Sequence, residues 1–431
     1  MAVSSRYFFH SRRGRGDAGV VYGDAGMGTG AFRFGNPADL TFLDVACGMP
    51  LGWNGERPAV ARTSSLDEAC TRVWSRCFGR GPCYIPFSGG RESSMWLATA
   101  TRYARGSGHG DPIPLTLRYP GLATEAELDV QERVVARLGL ADWERVESDD
   151  LDLIGPVARS VLAWTGPVWP PNAYVMAPLV EAARDGVFVF VTGLSDFFSW
   201  WNWAPLVSVL ERRRRPIKRD VPLAAAALLP VSLRVRAARR HAIPPPMRWL
   251  QPAAEREALA VLRRRQADVP LRCNRAMAAQ TTHRCFDGAA GTLGAIGETL
   301  GTPVVQPLRR FDVVESLAGA AGRRGFRSLN AMLLAMCGDL LPADLLDRRP
   351  GADLTRVFFG NNSREFAANW TGAGLDESVV DAEALRRNWL SDAPDPRTAC
   401  LLQYAWLTEQ AKSVSTVGEL LLTNSNQREA P

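Results

Sequence analysis

A chain of 431 residues, 46% hydrophobic and 22% charged, has enough apolar content for a well-packed core and is longer than one average domain. Its formal charge of +6 is concentrated: Glu211 to Arg240 holds ten Lys/Arg against Glu211 and Asp220, a net +8 that leaves about −2 for the remainder. That distribution excludes a nucleic-acid surface spread over the protein, and eight cysteines without a CxxC pair beside four histidines exclude a zinc site of standard spacing.

The first 64 residues read as an N-terminal extension of strands and turns, with short apolar runs at Gly19-Val20-Val21-Tyr22 and Leu40-Thr41-Phe42-Leu43. Arg12, Arg13 and Arg15 precede no apolar run, which argues against a secretion signal and for a cytoplasmic protein. Gly26-Met27-Gly28-Thr29-Gly30 lacks the surrounding strand–helix–strand unit of a dinucleotide fold. Leu43-Asp44-Val45-Ala46-Cys47-Gly48 copies the first motif of S-adenosylmethionine-dependent methyltransferases, in which a strand-end acid and glycines surround the cofactor. Met49-Pro50 stands where a second glycine is wanted, so this is the least favoured functional reading; the plain alternative is a strand and a turn.

From Ser65 onward helices and strands alternate. Ser65-Leu66-Asp67-Glu68 is a helix-capping pattern, and Leu66, Ala69, Val73, Trp74 and Phe78 repeat at helical spacing up to Gly79. Cys83 to Phe87 is an apolar strand, Ser88 to Ser94 a glycine-containing turn, and Met95 to Ala100 the helix that follows. The alternation continues with a strand over Ile113 to Tyr119, an amphipathic helix over Glu125 to Leu138, a strand over Trp143 to Val146, a helix over Tyr174 to Ala183, and a buried strand over Val187 to Val191 running into Thr192-Gly193. This order predicts an α/β fold, a parallel sheet with helices on both faces, whose ligands sit at the carboxyl ends of the strands. Beyond Pro205 the strand signals fade, while Glu255 to Arg265, Ser328 to Leu341 and Thr398 to Glu409 are helical in pattern. The expected organisation is therefore an α/β part over 65–205, a mainly helical part over 206–410 and a tail over 411–431. The longest apolar stretch, Val221 to Leu233, contains Pro222 and Pro230 and is too short to span a bilayer. The Arg212 to Arg240 segment suits an acidic peptide or carrier-protein partner, with a solvated basic linker as the alternative.

Ser88-Gly89-Gly90-Arg91-Glu92-Ser93-Ser94 is not a Walker loop, because no Gly-Lys-Ser/Thr follows its glycines. It is nevertheless placed to bind an anion. Gly89 and Gly90 allow the backbone to turn N–H groups toward one point, the serine hydroxyls add donors, and the next helix supplies positive potential at its N-terminus.

This segment resembles the pyrophosphate loop Ser-Gly-Gly-x-Asp-Ser-Ser of the asparagine synthetase family, which includes β-lactam synthetases and lasso-peptide cyclases. Ser88, Gly89, Gly90, Ser93 and Ser94 match it, with Glu92 at the Asp position. The likeness continues with gaps to about Gln410. Thr192-Gly193-Leu194-Ser195-Asp196 stands where family members carry Ser-Gly-Glu-Gly-x-Asp-Glu, and Gln306-Pro307-Leu308-Arg309 resembles Pro-Phe-Leu-Asp. Leu341-Pro342 through Arg348-Arg349 resembles a Leu-Pro stretch ending in Arg, and Phe358-Phe359-Gly360 through Arg387-Asn388-Trp389 is most similar to the lasso-cyclase branch. The resemblance implies an adenine nucleotide α-hydrolase-like domain that binds ATP and Mg2+ and activates a small-molecule or peptide carboxylate as an acyl-adenylate for attack by an amine. It assigns phosphate binding to Ser88, Gly89, Gly90, Arg91, Ser93, Ser94 and Gly193, magnesium to Glu92 and Asp196, and catalysis to Glu92, Asp196 and Arg349. The family's glutaminase domain has no counterpart before Ser65.

Several positions depart from the family pattern. The catalytic lysine expected near Pro350-Gly351-Ala352 is missing, and Arg349 or Arg356 would have to supply the charge with a differently shaped group. Leu194 and Phe197 stand where acids are expected, and Arg309 replaces an Asp. Loss of transition-state charge stabilisation costs orders of magnitude in rate, so a catalytically degenerate nucleotide- or peptide-binding protein is the alternative reading.

Overall fold

The computed structural model describes residues 36–55, 65–119, 125–148, 150–191, 220–241, 245–309, 311–338, 340–346 and 355–426. At its centre is a five-stranded, wholly parallel sheet: β1 (Cys83–Pro86), β2 (Ile113–Arg118), β3 (Glu144–Glu147), β4 (Val187–Val189) and β5 (Val304–Val305) in the order β3-β2-β1-β4-β5. Parallel neighbours require crossovers. They are made by helix α3 (Arg91–Gly106) after β1, α4 (Glu125–Leu138) after β2, and α5 (Pro156–Thr165) and α6 (Ala177–Ala182) between β3 and β4. The predicted strands and helices of this part therefore form, and the chain is an α/β protein.

Strand side chains alternate between two apolar layers. Tyr84, Leu115, Phe188 and Phe190 point into one, with Leu162 of α5 and Leu179 of α6; Cys83, Ile85, Val187 and Val189 point into the other, with Trp74 of α2 (Leu66–Phe78) and Trp96 of α3. Trp74 and Trp96 meet edge to face at 5.9 Å between ring centroids, and each is at most 1% exposed. Burying side chains of this size contributes on the order of 2–3 kcal/mol each. Helix α2 starts where the sequence indicates: Ser65 Oγ accepts the Glu68 N–H, and the Glu68 carboxylate accepts the Ser65 N–H in return.

Residues 36–55, read from sequence as strands and turns of an extension, are instead part of the core. Thr41 caps a short helix α1 (Phe42–Cys47), whose Asp44 carboxylate accepts the Thr41 N–H, and Gly48 ends it in the left-handed conformation at φ 67°. Gly48 is also required by crowding: a Cβ there would fall 2.0 Å from the Arg397 carbonyl oxygen. Ala46 accepts a hydrogen bond from Trp249 Nε1 at 2.8 Å, and Trp53 pairs with His283 in an isolated antiparallel bridge. The strand expected at Leu43 to Cys47 is thus a helix. Its local capping box outweighed the apolar run.

Beyond β4 the described chain is mainly helical: α7 (Asp220–Ala227), α8 (Val231–His241), α9 (Pro252–Asp268), α10 (Cys273–Gln280), α11 (Arg284–Leu300), α12 (Phe311–Ala321), α13 (Leu329–Cys337), α14 (Thr355–Phe358), α15 (Asn361–Asn369), α16 (Ala382–Trp389) and α17 (Ala399–Asn426). This part also supplies β5, which pairs with β4 through Phe188 and Val304. Helix α17 runs across position 411 without a break. None of the described helices is long and apolar enough to cross a membrane.

Candidate functional site

The strand order locates a crevice before any side chain is considered. From β1 the sheet grows through β2 to β3 on one side, whereas β4 and then β5 lie on the other. Connections leaving the carboxyl ends of β1 and β4 therefore diverge, and ligands of open parallel sheets bind where that reversal occurs. The loop Ser88 to Gly90 leaves β1 at this point, and Val191 leaves β4 beside it.

The base of the loop is fixed. The Phe87 N–H donates to Leu115 O at 2.7 Å, Thr116 Oγ1 donates to Phe87 O at 2.7 Å, and Trp143 Nε1 donates to Thr116 Oγ1 at 2.8 Å. The Arg145 guanidinium lies 3.8 Å from the Trp143 ring centroid, stacking on the outer side of this brace. Above it Gly89 has φ 72°, which an L side chain rarely adopts. A Cβ at Gly89 would also approach Gln131 Cγ to 2.8 Å. Gln131, on α4 and 7% exposed, donates from Nε2 to Ser88 O at 3.2 Å and so supports the loop from beneath.

Gly90 is the N-cap of α3, with extended backbone and no side-chain cap. The first intrahelical bond runs from the Ser94 N–H to Gly90 O at 2.9 Å, so the N–H groups of residues 91 to 93 precede it. A helix of 16 residues carries roughly half a positive charge at this end. Inside the loop the Ser88 N–H reaches Ser93 Oγ at 3.4 Å and the Gly90 N–H reaches Ser88 Oγ at 3.3 Å. Both are longer than the usual N–H···O range, so a phosphate oxygen offering better geometry would draw both donors away. Ser93 Oγ donates to Gly90 O at 3.0 Å, which makes this serine a shaping element of the turn. Ser94 is fully buried, and its hydroxyl meets no hydrogen-bond partner among the described residues. Arg91 Nη1 donates to Asn330 Oδ1 of α13 at 3.0 Å, which directs the guanidinium toward that helix.

Glu92 lies in the first turn of α3, half-buried. Among the described residues no three His, Cys, Asp or Glu side chains cluster to hold a metal. Magnesium commonly takes one or two carboxylates and completes its shell with phosphate and water oxygens, so Glu92 beside an anion-binding loop fits that chemistry as one ligand. Gly193, Asp196 and Arg349 lie outside the described residues, as do Leu194, Phe197 and the missing-lysine region at 350–352. Arg356 is exposed on α14.

No protein-family model and no curated protein matches this chain. Among solved structures it is similar to the NAD+ synthetase of Burkholderia pseudomallei, with 16% sequence identity over 56% of this chain and 90% of that one, at a TM-score of 0.22. A likeness of that size speaks to neither substrate nor reaction. The resemblance to asparagine synthetases thus rests on the motif residues, and the fitness of the loop for an anion is argued from its own geometry.

The methyltransferase reading does not survive. Asp44 is 1% exposed within α1, its Oδ1 accepts the Leu51 N–H at 2.6 Å and its Oδ2 meets Arg284 Nη1 at 2.8 Å, so the carboxylate is committed to holding the fold. His109 stacks on Phe78, and His283 accepts the Cys285 N–H at Nδ1 as the N-cap of α11; both are structural.

Sequence reasoning missed three contributors. Gln131 shares one helix face with Val134, Val135 and Leu138, and a polar residue at core-facing spacing was a readable signal. Thr116 sits mid-strand and gave none. Gln306 follows β5 at the carboxyl edge of the sheet, 9% exposed, with an Oε1 that meets no hydrogen-bond partner among the described residues.

Proposed function

We propose that the chain binds ATP with its phosphates in the Ser88 to Ser94 loop, and that it joins a carboxylate to an amine by way of an acyl-adenylate, releasing pyrophosphate. The observation that carries the first half is the loop itself: a left-handed Gly89, a glycine N-cap without a side-chain acceptor, and a helix N-terminus, all at the point where the strand order reverses. The second half is supported by the motif residues shared with asparagine synthetases. Glu92 and Asp196 would hold magnesium, which neutralises phosphate charge when bound; Arg349 would supply positive charge in place of the lysine. Carboxylate and amine, small molecules or parts of a peptide, would enter over the carboxyl ends of β4 and β5, where Gln306 offers a buried acceptor.

The second reading, a nucleotide- or peptide-binding protein without turnover, is favoured by one feature. The chain has only two lysines, Lys218 and Lys412, and neither is near positions 350–352. One experiment separates the two. Purified protein is mixed with ATP, magnesium and pools of carboxylates and amines, and pyrophosphate release is followed beside direct ATP binding. Release that disappears in Asp196→Ala supports the ligase; binding without release under every acceptor supports the second reading. Failure to bind ATP at all would overturn the ligase and the nucleotide-binding form of the second reading.

A further inference from the structure

We propose that the helical hairpin α7–α8, together with the adjoining end of α9 and start of α10, is a docking surface for an acidic polypeptide segment whose carboxylates alternate with apolar side chains. This inference is independent of the ligase reading.

Four large apolar side chains in this hairpin are exposed: Val221, Leu228 at 61%, Leu229 and Leu233. Elsewhere among the described residues exposed side chains of this kind stand singly, at Trp164, Leu334 and Leu390. Scattered exposed leucines need no explanation, whereas a cluster within thirteen residues of chain marks an interaction site. The inner side of the hairpin is already occupied. Val231, Arg234 and Val235 are partly covered, and Arg234 Nη1 donates to Val269 O at 3.2 Å where α9 ends. Leu233 and Arg236, one turn apart, are on the exposed side of α8.

The charge on these elements is predominantly positive, against Asp220 at the start of α7 and Asp268 at the end of α9. Arg264 pairs with Asp268 on α9, but Arg236, Arg263, Arg272 and Arg275 have no carboxylate partner among the described residues. The Nε atoms of Arg234 and Arg263 are buried without an acceptor. Arg236, one turn from Leu233, and Arg263 on the helix packed against α8 are complementary to carboxylates interspersed with apolar groups, and guanidinium binds carboxylate through paired N–H donors. A helix that lies on a lipid surface segregates its apolar and cationic faces. Here Leu233 and Arg236 share one face, which favours a polypeptide of mixed character over a bilayer.

The test uses the full chain without nucleotide and a fluorescent helical peptide built from Glu, Leu and Ala, followed by anisotropy. Controls replace Glu by Gln or Leu by Ser in the peptide. Saturable binding should weaken by about tenfold or more with either control peptide, with raised salt, and in Arg236→Glu and Leu228→Ser/Leu229→Ser, whose positions are exposed so that folding survives. Unchanged binding in both variants, or equal binding of the Gln peptide, overturns the proposal. Co-sedimentation with vesicles containing phosphatidylserine, without peptide binding, overturns it in favour of a membrane surface.

Discussion

Replacing Gly89 by alanine tests the central geometric claim, because two independent costs converge on that residue. An L side chain at φ 72° costs about 1–2 kcal/mol. The new methyl, 2.8 Å from Gln131 Cγ, must displace a side chain that is only 7% exposed, and forcing atoms into a packed site costs about 1–3 kcal/mol. If Gln131 yields, its bond to Ser88 O is lost, about 1 kcal/mol more. Alanine recovers up to about 1 kcal/mol by restricting the unfolded chain. The net expectation is roughly 2–4 kcal/mol of destabilisation, measured by urea unfolding with tryptophan fluorescence. Adding Gln131→Ala removes the contact but leaves the backbone cost. The double variant should therefore be more stable than the sum of the two single changes predicts, by about 1–2 kcal/mol. Binding of a fluorescent ATP analogue should fall by more than about tenfold in Gly89→Ala, since the loop N–H groups lose their common direction. Unchanged stability in Gly89→Ala, or additivity within about 0.5 kcal/mol, would refute the argument that Gln131 props this loop.

Three further outcomes follow from buried groups. Burial holds the His283 imidazole well below its ordinary pKa of 6.5, and Arg265 and Arg284 push the same way. The unfolded chain then takes up a proton below about pH 6.5 that the folded chain refuses, so this contribution to stability is present above that pH and is lost as pH falls, by about 1.4 kcal/mol per unit. His283→Asn, which keeps an acceptor for the Cys285 N–H, should flatten the slope between about pH 5 and 6.5 in urea titrations. Burial pushes the thiols of Cys47, Cys70, Cys77 and Cys273 up to about 12, and Cys285 is the one described cysteine that is not buried. A thiol reagent at neutral pH should react rapidly with Cys285 alone and with all eight after denaturation; a fast phase that survives Cys285→Ser would contradict the packing. Asp44→Ala should cost about 3–5 kcal/mol by leaving Arg284 without its counter-charge and two N–H groups without their acceptor, and a stability loss under 1 kcal/mol would contradict the role of that carboxylate.

The parts of the fold that could be read from sequence are those whose signal is local. Ser65 and Glu68 announce α2 through a capping box, and Val187 to Val191 announces β4 through an unbroken apolar run. The Ser88 to Ser94 loop was legible because a glycine pair between an apolar strand and a helix is itself a local pattern. Leu43 to Cys47 reads as a strand although the Thr41–Asp44 capping box is itself local; only its burial, which depends on Trp249 and Arg397, lies far along the chain. The other failures have non-local causes. Val304-Val305 is too short to register as a strand; it becomes one because β4 offers an open edge to it. Gln306 comes to the carboxyl edge of the sheet only as a consequence of that pairing.

The same dependence bears on chemistry. The backbone of the Ser88 to Ser94 loop is held by neighbours in sequence, the adjacent strand and Gln131 of α4, whereas the carboxyl edge of β5, where a second substrate would lie, is positioned by a segment more than 200 residues beyond the loop. A lesion that unpairs β5 without disturbing Gly89 should separate the two functions. Val305→Pro removes a backbone donor on the β4-facing side of the edge strand, where Val305 O accepts the Phe190 N–H, and also crowds the preceding residue. If ATP affinity survives that change while amide formation is lost, the crevice is divided as the strand order implies, with phosphates over β1 and the acceptor over β5. Equal loss of both would mean that the sheet edge supports the loop as well, and the division would fail.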